Sequence, residues 1–151
     1  MRIVSVGITV VLGMWVMSNA QAEPEELSCA SQSATPAAIN ECLTNALSAG
    51  EAKLSVSLKA LAKTVIVVQS FQLNKQHIVV DATVKKLFNA QHAWDGFRER
   101  HCAFTSALVG PVGDAQQEKI VCRLRMTRAR DAELNEESQF WREKYPNLDF
   151  K

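Results

Sequence analysis

The sequence lacks the motifs that usually carry enzymatic chemistry. It contains no nucleophile elbow, no phosphate-binding glycine loop and no C-x-x-C pair, and its three histidines, His77, His92 and His101, are not at metal-ligand spacing. A triad of His101, Ser106 and Asp114 can be drawn, but helical spacing does not bring these side chains together. The sequence therefore predicts a protein that is not an enzyme and that binds no metal and no other cofactor.

The chain also lacks an excess of charge of either sign. Its 151 residues include 17 Lys and Arg and 16 Asp and Glu. Arg2 is the one charged residue among the first 22 positions, so the remainder carries 16 charges of each sign. Because nucleic acids and anionic membranes attract proteins through net positive charge, we expect neither as a partner.

The first 22 residues have the layout of a cleavable signal peptide. Arg2 supplies the positive start, residues 3–17 are uncharged and largely apolar, and Ala20-Gln21-Ala22 forms an A-x-A cleavage site. The alternative is a membrane anchor, but a spanning helix needs about 20 apolar residues and this stretch is shorter. We predict cleavage after Ala22, which leaves a single domain of residues 23–151 that is periplasmic or secreted and has no membrane anchor.

Apolar residues recur at three- and four-residue steps in the mature part, which predicts long amphipathic helices. The first helix begins at Thr35-Pro36 and includes the β-branched run 65–68, which we interpret as a helix end rather than a strand. The second is expected from about Lys75 to Thr105, and the third from about Ala115 to Tyr145. A glycine- and proline-bearing segment, residues 110–114, separates them.

Three helices with short connections can pack as an antiparallel bundle. The predicted fold class is therefore all-α, a small disulfide-stapled antiparallel bundle of about three helices, with residues 23–34 as a loose lead-in. In this arrangement all four cysteines fall at one end of the bundle: Cys29, Cys42, Cys102 and Cys122.

Two stretches of the chain resemble a known family. Residues 90–104 read AQHAWDGFRERHCAF, and residues 122–134 read CRLRMTRARDAEL. They resemble the lysozyme inhibitor LprI-like N-terminal domain family, whose pattern is A-Q-x-A-W-x-x-[YF]-R-x-x-x-C, a glycine-bearing loop, and C-x-x-x-x-T-x-x-R-x-x-x-L. The matching positions are Gln91, Trp94, Phe97, Arg98, Cys102, Cys122, Thr127, Arg130 and Leu134. The chain departs from the family in having no tyrosine before Tyr145.

The resemblance implies a small helical exported domain, often found in Gram-negative periplasms, with lysozyme inhibition as the name-giving activity. Two functions are open. One is a non-enzymatic binding protein that occludes the glycan cleft of a lysozyme. The other is a periplasmic adaptor or stress-associated accessory protein with another protein partner. No particular oligomeric state is predicted.

For cleft occlusion, the candidate binding loop runs from Thr105 to Asp114, because it is long, has small residues and can be fastened at its base by a disulfide. Its candidate contact residues are Thr105, Ser106, Leu108, Gly110, Pro111, Gly113 and Asp114.

An even number of cysteines in an exported chain predicts two disulfides, and four cysteines allow three pairings. The resemblance suggests Cys29 with Cys42 as the first pair, and we favour the local pairing, with Cys102 bonded to Cys122. The pairing of Cys42 with Cys122 and of Cys29 with Cys102 stays open, because it matches the predicted depths of the cysteines in their helices somewhat better.

The other motif residues are interpreted as mainly structural. Trp94, Phe97 and Phe104 share a predicted helical face, so they are expected in the core. Arginines near a core are usually paired, so Arg98 and Arg130 are expected to meet acidic residues such as Glu99 or Glu118, or a helix end. Hydrogen bonds between helices are expected from Gln91 and Thr127.

Overall fold

A computed structural model of the chain describes residues 25–32, 35–72, 77–110 and 113–150. The predicted signal peptide, residues 1–22, lies outside the described residues. The described part consists of four helices and contains no strand: α1 (Glu25–Gln32), α2 (Pro36–Gln72), α3 (His77–Ala107) and α4 (Ala115–Lys144). The predicted all-α class is confirmed. The prediction of a loose lead-in at residues 23–34 is wrong for α1, which Cys29 attaches to α2.

The helix boundaries follow local capping chemistry. The hydroxyl of Thr35 accepts a hydrogen bond from the backbone N–H of Ala38 at 3.3 Å, and Asp114 accepts one from the N–H of Gln117 at 2.9 Å. The β-branched run 65–68 lies inside α2, as expected. Its last residue, Val68, is buried, so packing outweighs the low helix propensity of valine there.

α2 and α4 run parallel, and their contacts keep a constant offset along the chain. Asn40 contacts Asp114, Ser57 contacts Asp131, and Thr64 contacts Ser138, each pair separated by 74 residues. Of the four buried leucines of α2, three recur every seven residues, at positions 47, 54 and 61, and the fourth is Leu43. A seven-residue repeat keeps one seam of a helix facing its partner, which is the packing of a coiled coil.

α3 runs antiparallel to both of these helices. Its Cys102 and Arg98 contact Cys122 and Thr127 of α4, so the positions on one helix fall as those on the other rise. The bundle is therefore up, down and up for α2, α3 and α4, which is the arrangement that short connections impose on three consecutive helices.

The core has two apolar clusters at different heights along the bundle. The cluster at the cysteine end contains Cys29, Leu43, Leu47, Ile120 and Leu124. The second contains Leu54, Leu61 and Leu134, with half-buried Leu58, Val65, Leu87 and Trp94 packed against it. Leu134, the last residue of the family-like motif, is thus a core residue.

A line of buried polar residues, here called the polar seam, joins α2 to α4: Ser57, Thr64, Asp131 and Ser138. The Ser57 hydroxyl donates to Asp131 Oδ1 at 2.6 Å, and Lys53 Nζ lies 3.0 Å from Asp131 Oδ2. Burial raises the pKa of Asp131, but the hydrogen bonds from Ser57 and Lys53 outweigh it and leave the pKa below its ordinary value. The carboxylate is therefore charged and paired at neutral pH.

Both disulfides lie at the same end of the bundle. Cys29 is bonded to Cys42, with their Cα atoms 5.7 Å apart, and Cys102 is bonded to Cys122, with their Cα atoms 5.5 Å apart. The favoured local pairing is confirmed. Because α3 continues to Ala107, the distance of Cys102 from the end of α3 is close to the distance of Cys122 from the start of α4, at ~1.5 Å per residue. The two cysteines therefore meet.

By length and apolar content, α2 is the one described helix that would suit a membrane span. A core helix of a bundle passes the same test. Leu47, Leu54 and Leu61 of α2 are buried, and each belongs to one of the two core clusters. This packing accounts for part of its apolar character, since 33% of the apolar window is buried.

Candidate functional site

Arg98 joins the three long helices through one guanidinium group. Its side chain is buried, and Nη1 donates to the Thr127 hydroxyl of α4 at 2.6 Å. Its Nη2 pairs with Glu51 of α2 at 3.0 Å and with the neighbouring Glu99 of α3 at 3.3 Å. The pairing with Glu99 agrees with the sequence prediction. Glu51 is missing from that prediction because it lies 47 positions away and outside the family-like motif.

Trp94 lies between two arginines. The guanidinium carbon of Arg98 is 5.3 Å from the centre of the Trp94 ring, and that of Arg130 is 5.9 Å away. Arg130 donates from Nε to Gln91 Oε1 at 3.1 Å, and its Nη1 pairs with Glu133 at 2.8 Å. Gln91 and Thr127 therefore make the hydrogen bonds between helices that the sequence predicts.

Four charged side chains, here called the polar cluster, balance one another in charge: Arg98, Arg123, Glu51 and Glu99. Arg123 of α4 pairs with the same two acids as Arg98, namely Glu51 at 3.1 Å and Glu99 at 3.0 Å. Two cations and two carboxylates thus meet at the contact of α2, α3 and α4, while Nε of Arg98 is buried without a hydrogen-bond partner among the described residues. The contacts of these groups join the three helices to one another.

The aromatic residues of α3 correct the sequence prediction. Phe97 is 52% exposed and Phe104 is 61% exposed, so neither lies in the core. The buried side of α3 is formed by Gln91, Arg98 and Cys102. At about 100° per residue, Phe97 and Phe104 point about 120° away from that side. Gln91 and Arg98 take buried positions because their partners lie on α2 and α4. The sequence signal for this buried side is the spacing of seven and four residues between Gln91, Arg98 and Cys102.

The predicted binding loop is shorter in the structure. Thr105 and Ser106 belong to the last turn of α3, and their hydroxyls donate to the carbonyl oxygens of Cys102 and Ala103 at 3.2 and 3.0 Å. The connection between α3 and α4 is residues 108–114, with Leu108 69% exposed at its start. Pro111 lies outside the described residues.

Both ends of this connection are attached to the bundle. The Cys102–Cys122 disulfide joins the two helices beneath it. At its far end, Asp114 accepts hydrogen bonds from the backbone N–H of Gln117 and, at 3.2 Å, from Asn40 Nδ2 of α2. These hydrogen bonds, the one from Gln117 first, lower the pKa of Asp114 below its ordinary value. An ionised carboxylate thus stands at the end of the connection.

Two glycines allow the path of the connection. Gly110 has a φ of 69°, in the left-handed region that residues with a Cβ seldom adopt. At Gly113, an added Cβ would lie 1.9 Å from Cγ1 of Val109, so the Val109 side chain or the backbone would have to shift to admit it. The disulfide and Asp114 thus hold the two ends of the connection, and residues 111–112 between them lie outside the described residues.

A comparison with protein families identifies the chain. A family model described as "Lysozyme inhibitor LprI" matches residues 28–134. The chain belongs to the LprI family. The match covers both disulfides, the polar cluster and the 108–114 connection of this LprI chain. No curated protein and no solved structure matches it.

The family indicates a lysozyme-inhibitor-like function with a protein partner, and an inhibitor family is not catalytic. The triad that can be drawn through the LprI chain is not assembled. His101 stacks on Phe97 at 5.6 Å, Ser106 donates to a carbonyl of its own helix, and Asp114 caps α4. Within the described ranges, no three His, Cys, Asp or Glu side chains are grouped to hold a metal ion.

Proposed function

We propose that this LprI-family chain is an exported inhibitor that binds a lysozyme and blocks its glycan cleft with the 108–114 connection. The observation that carries the proposal is a short turn that exposes Leu108 while both of its ends are attached to the bundle. A connection whose two ends are already held loses less conformational entropy on binding than one with free ends, so more of its contact energy appears as affinity.

The charges beside the connection support a cationic partner. A cavity of about 370 Å³ lies at the polar cluster. A second cavity, of about 230 Å³, lies beside the connection and is lined by Val109, Asp114, Gln117, Glu118 and Val121. Two of these residues are carboxylates, and Asp114 is exposed. Acidic groups around an inserting turn favour encounter with a basic enzyme, and this attraction weakens as salt is added.

Export is part of the same proposal. The leader-like residues 1–22 would send residues 23–151 to the periplasm or the cell exterior. Two disulfides suit an oxidising compartment of this kind. Lysozymes act on the cell wall outside the cytoplasm, so inhibitor and enzyme would meet there.

The proposal is tested with purified residues 23–151 in a cell-wall lysis assay against c-type and g-type lysozymes. The matched variant replaces residues 109–113 with two glycines and keeps both disulfides. We expect inhibition by the wild type at micromolar concentration and its loss in the variant, with unchanged helical circular dichroism. Absence of inhibition by the wild type would refute the proposal. Recovery of one other periplasmic protein by the same domain would then favour the adaptor function.

A further inference from the structure

Met126 is the one methionine of the chain after residue 22. It lies half-buried on α4, and its Sδ is 3.6 Å from Sγ of Cys102 on α3. Because Cys102 is bonded to Cys122, its sulfur has no hydrogen to donate, and the two sulfur atoms are in van der Waals contact. Three sulfur atoms from α3 and α4 thus lie together at the cysteine end of the bundle.

Met126 differs from the two cysteines in its access to solvent. Cys102 and Cys122 are completely buried, whereas Met126 is partly exposed. Its neighbour Arg125 is exposed and its neighbour Thr127 is buried, so residue 126 lies at the edge of the packed side of α4. No cysteine is free in the part of the chain that the structure describes. A small oxidant from solution therefore meets the thioether of Met126 before it meets the disulfide.

We propose that Met126 is an oxidation site, at which a peroxide converts the thioether to the sulfoxide and thereby loosens the contact of α3 with α4. In this step a lone pair of the sulfur attacks one oxygen of hydrogen peroxide and the O–O bond breaks. The oxygen atom stays on the sulfur, and the other oxygen leaves as water with both hydrogens. The sulfur loses two electrons, which the peroxide gains.

The sulfoxide does not keep the packing of the thioether. Its oxygen is polar, and a polar group without a hydrogen-bond partner beside a buried disulfide costs free energy. The oxidised side chain therefore turns toward solvent, which leaves space beside Cys102 and weakens the packing of α3 on α4.

This contact lies where the Cys102–Cys122 disulfide attaches the connection to the bundle. Weaker packing there holds the start of the connection less firmly, so binding through the connection costs more conformational entropy. The effect on inhibition rests on the proposed function. The oxidation and its effect on stability do not.

Met126→Leu is the matched variant, because leucine has a similar volume and no sulfur to oxidise. It and the wild type, both as residues 23–151, are treated with hydrogen peroxide under conditions that oxidise free methionine completely. Peptide mass spectrometry locates the added oxygen, circular dichroism gives the Tm, and the lysis assay gives the inhibition. Methionine sulfoxide reductases then reverse the modification.

We expect one added oxygen atom at Met126 of the wild type, a Tm lower by about 4 °C and inhibition about fivefold weaker, all restored by the reductases. The Met126→Leu protein should keep its Tm and its inhibition. A wild type that gains no oxygen at Met126, or whose Tm the sulfoxide leaves unchanged, overturns the inference. An equal loss of Tm in the Met126→Leu protein also overturns it.

The inhibition measurement separates this inference from the proposed function. If the untreated wild type does not inhibit lysozyme, the proposed function fails, and the mass and the Tm still decide whether Met126 is the oxidation site. If the oxidised wild type has a lower Tm but inhibits normally, the link from Met126 to the connection is wrong and the proposed function stands.

Discussion

Replacement of Arg98 by methionine tests whether the polar cluster fastens the bundle. Methionine retains the apolar stem of the side chain but removes the guanidinium. The variant therefore loses the 2.6 Å hydrogen bond to buried Thr127, the two ion pairs with Glu51 and Glu99, and the contact of the cation with the Trp94 ring.

The size of the effect follows from burial. A hydrogen bond from a charged group to a buried partner contributes about 1.5–3 kcal/mol, and the cation over Trp94 adds about 0.5–1 kcal/mol. The carboxylates of Glu51 and Glu99 are 38% and 43% exposed and keep Arg123 as a partner. The loss of their ion pairs with Arg98 therefore adds little to the change in the free energy of unfolding. We expect Arg98→Met to lower the free energy of unfolding by about 2–3 kcal/mol, and the Tm by about 10 °C.

The assay is guanidinium chloride unfolding of residues 23–151 with both disulfides intact, followed by circular dichroism and tryptophan fluorescence. Arg125→Met is the matched control, because Arg125 lies exposed on α4. A double-mutant cycle with Thr127→Val isolates the direct contact, for which we expect a coupling of about 1 kcal/mol or more. A coupling near zero, or equal stability of the Arg98 and Arg125 variants, would refute the structural role of the cluster.

Three further perturbations probe other parts of the bundle. The folded-state pKa of Asp131 is lowered, so the stability that its carboxylate contributes is complete above the unfolded pKa of about 3.9 and is lost as pH falls through the folded pKa. Asp131→Asn should therefore flatten the loss of stability at acid pH, measured by urea unfolding. An unchanged pH profile would contradict this prediction. An added methyl at Gly50 meets Thr127 and Leu124 only at 3.6 and 3.7 Å, so Gly50→Ala should stabilise by about 0.5–1 kcal/mol; a lower Tm would mean that α2 and α4 pack too closely there. Replacing Cys102 and Cys122 by alanine should cost about 3 kcal/mol, measured by thermal unfolding, and should weaken inhibition; full retention of both would show that the disulfide neither stabilises nor restrains the connection.

Local sequence was sufficient for the long helices and for the starts of α2 and α4. Thr35 and Asp114 bring their own capping oxygens, and the β-branched run 65–68 stays helical because Val68 lies on the buried side of α2. The last turn of α3 was harder to place. The hydroxyls of Thr105 and Ser106 bond to carbonyl oxygens of the same helix, which extends it into a segment that composition alone marks as a loop.

The sequence by itself determined the helical class, the end of the bundle that carries the cysteines and the membership in the LprI family. Only the tertiary structure decided which side of α3 is buried. The spacing of apolar residues indicates which residues prefer to be buried, but a helix packed against two neighbours buries one strip of its surface. Gln91 and Arg98 take that strip because α2 and α4 supply their partners, and Phe97 and Phe104 are thereby left outside. Those partners are distant in the chain, so no local pattern could name them.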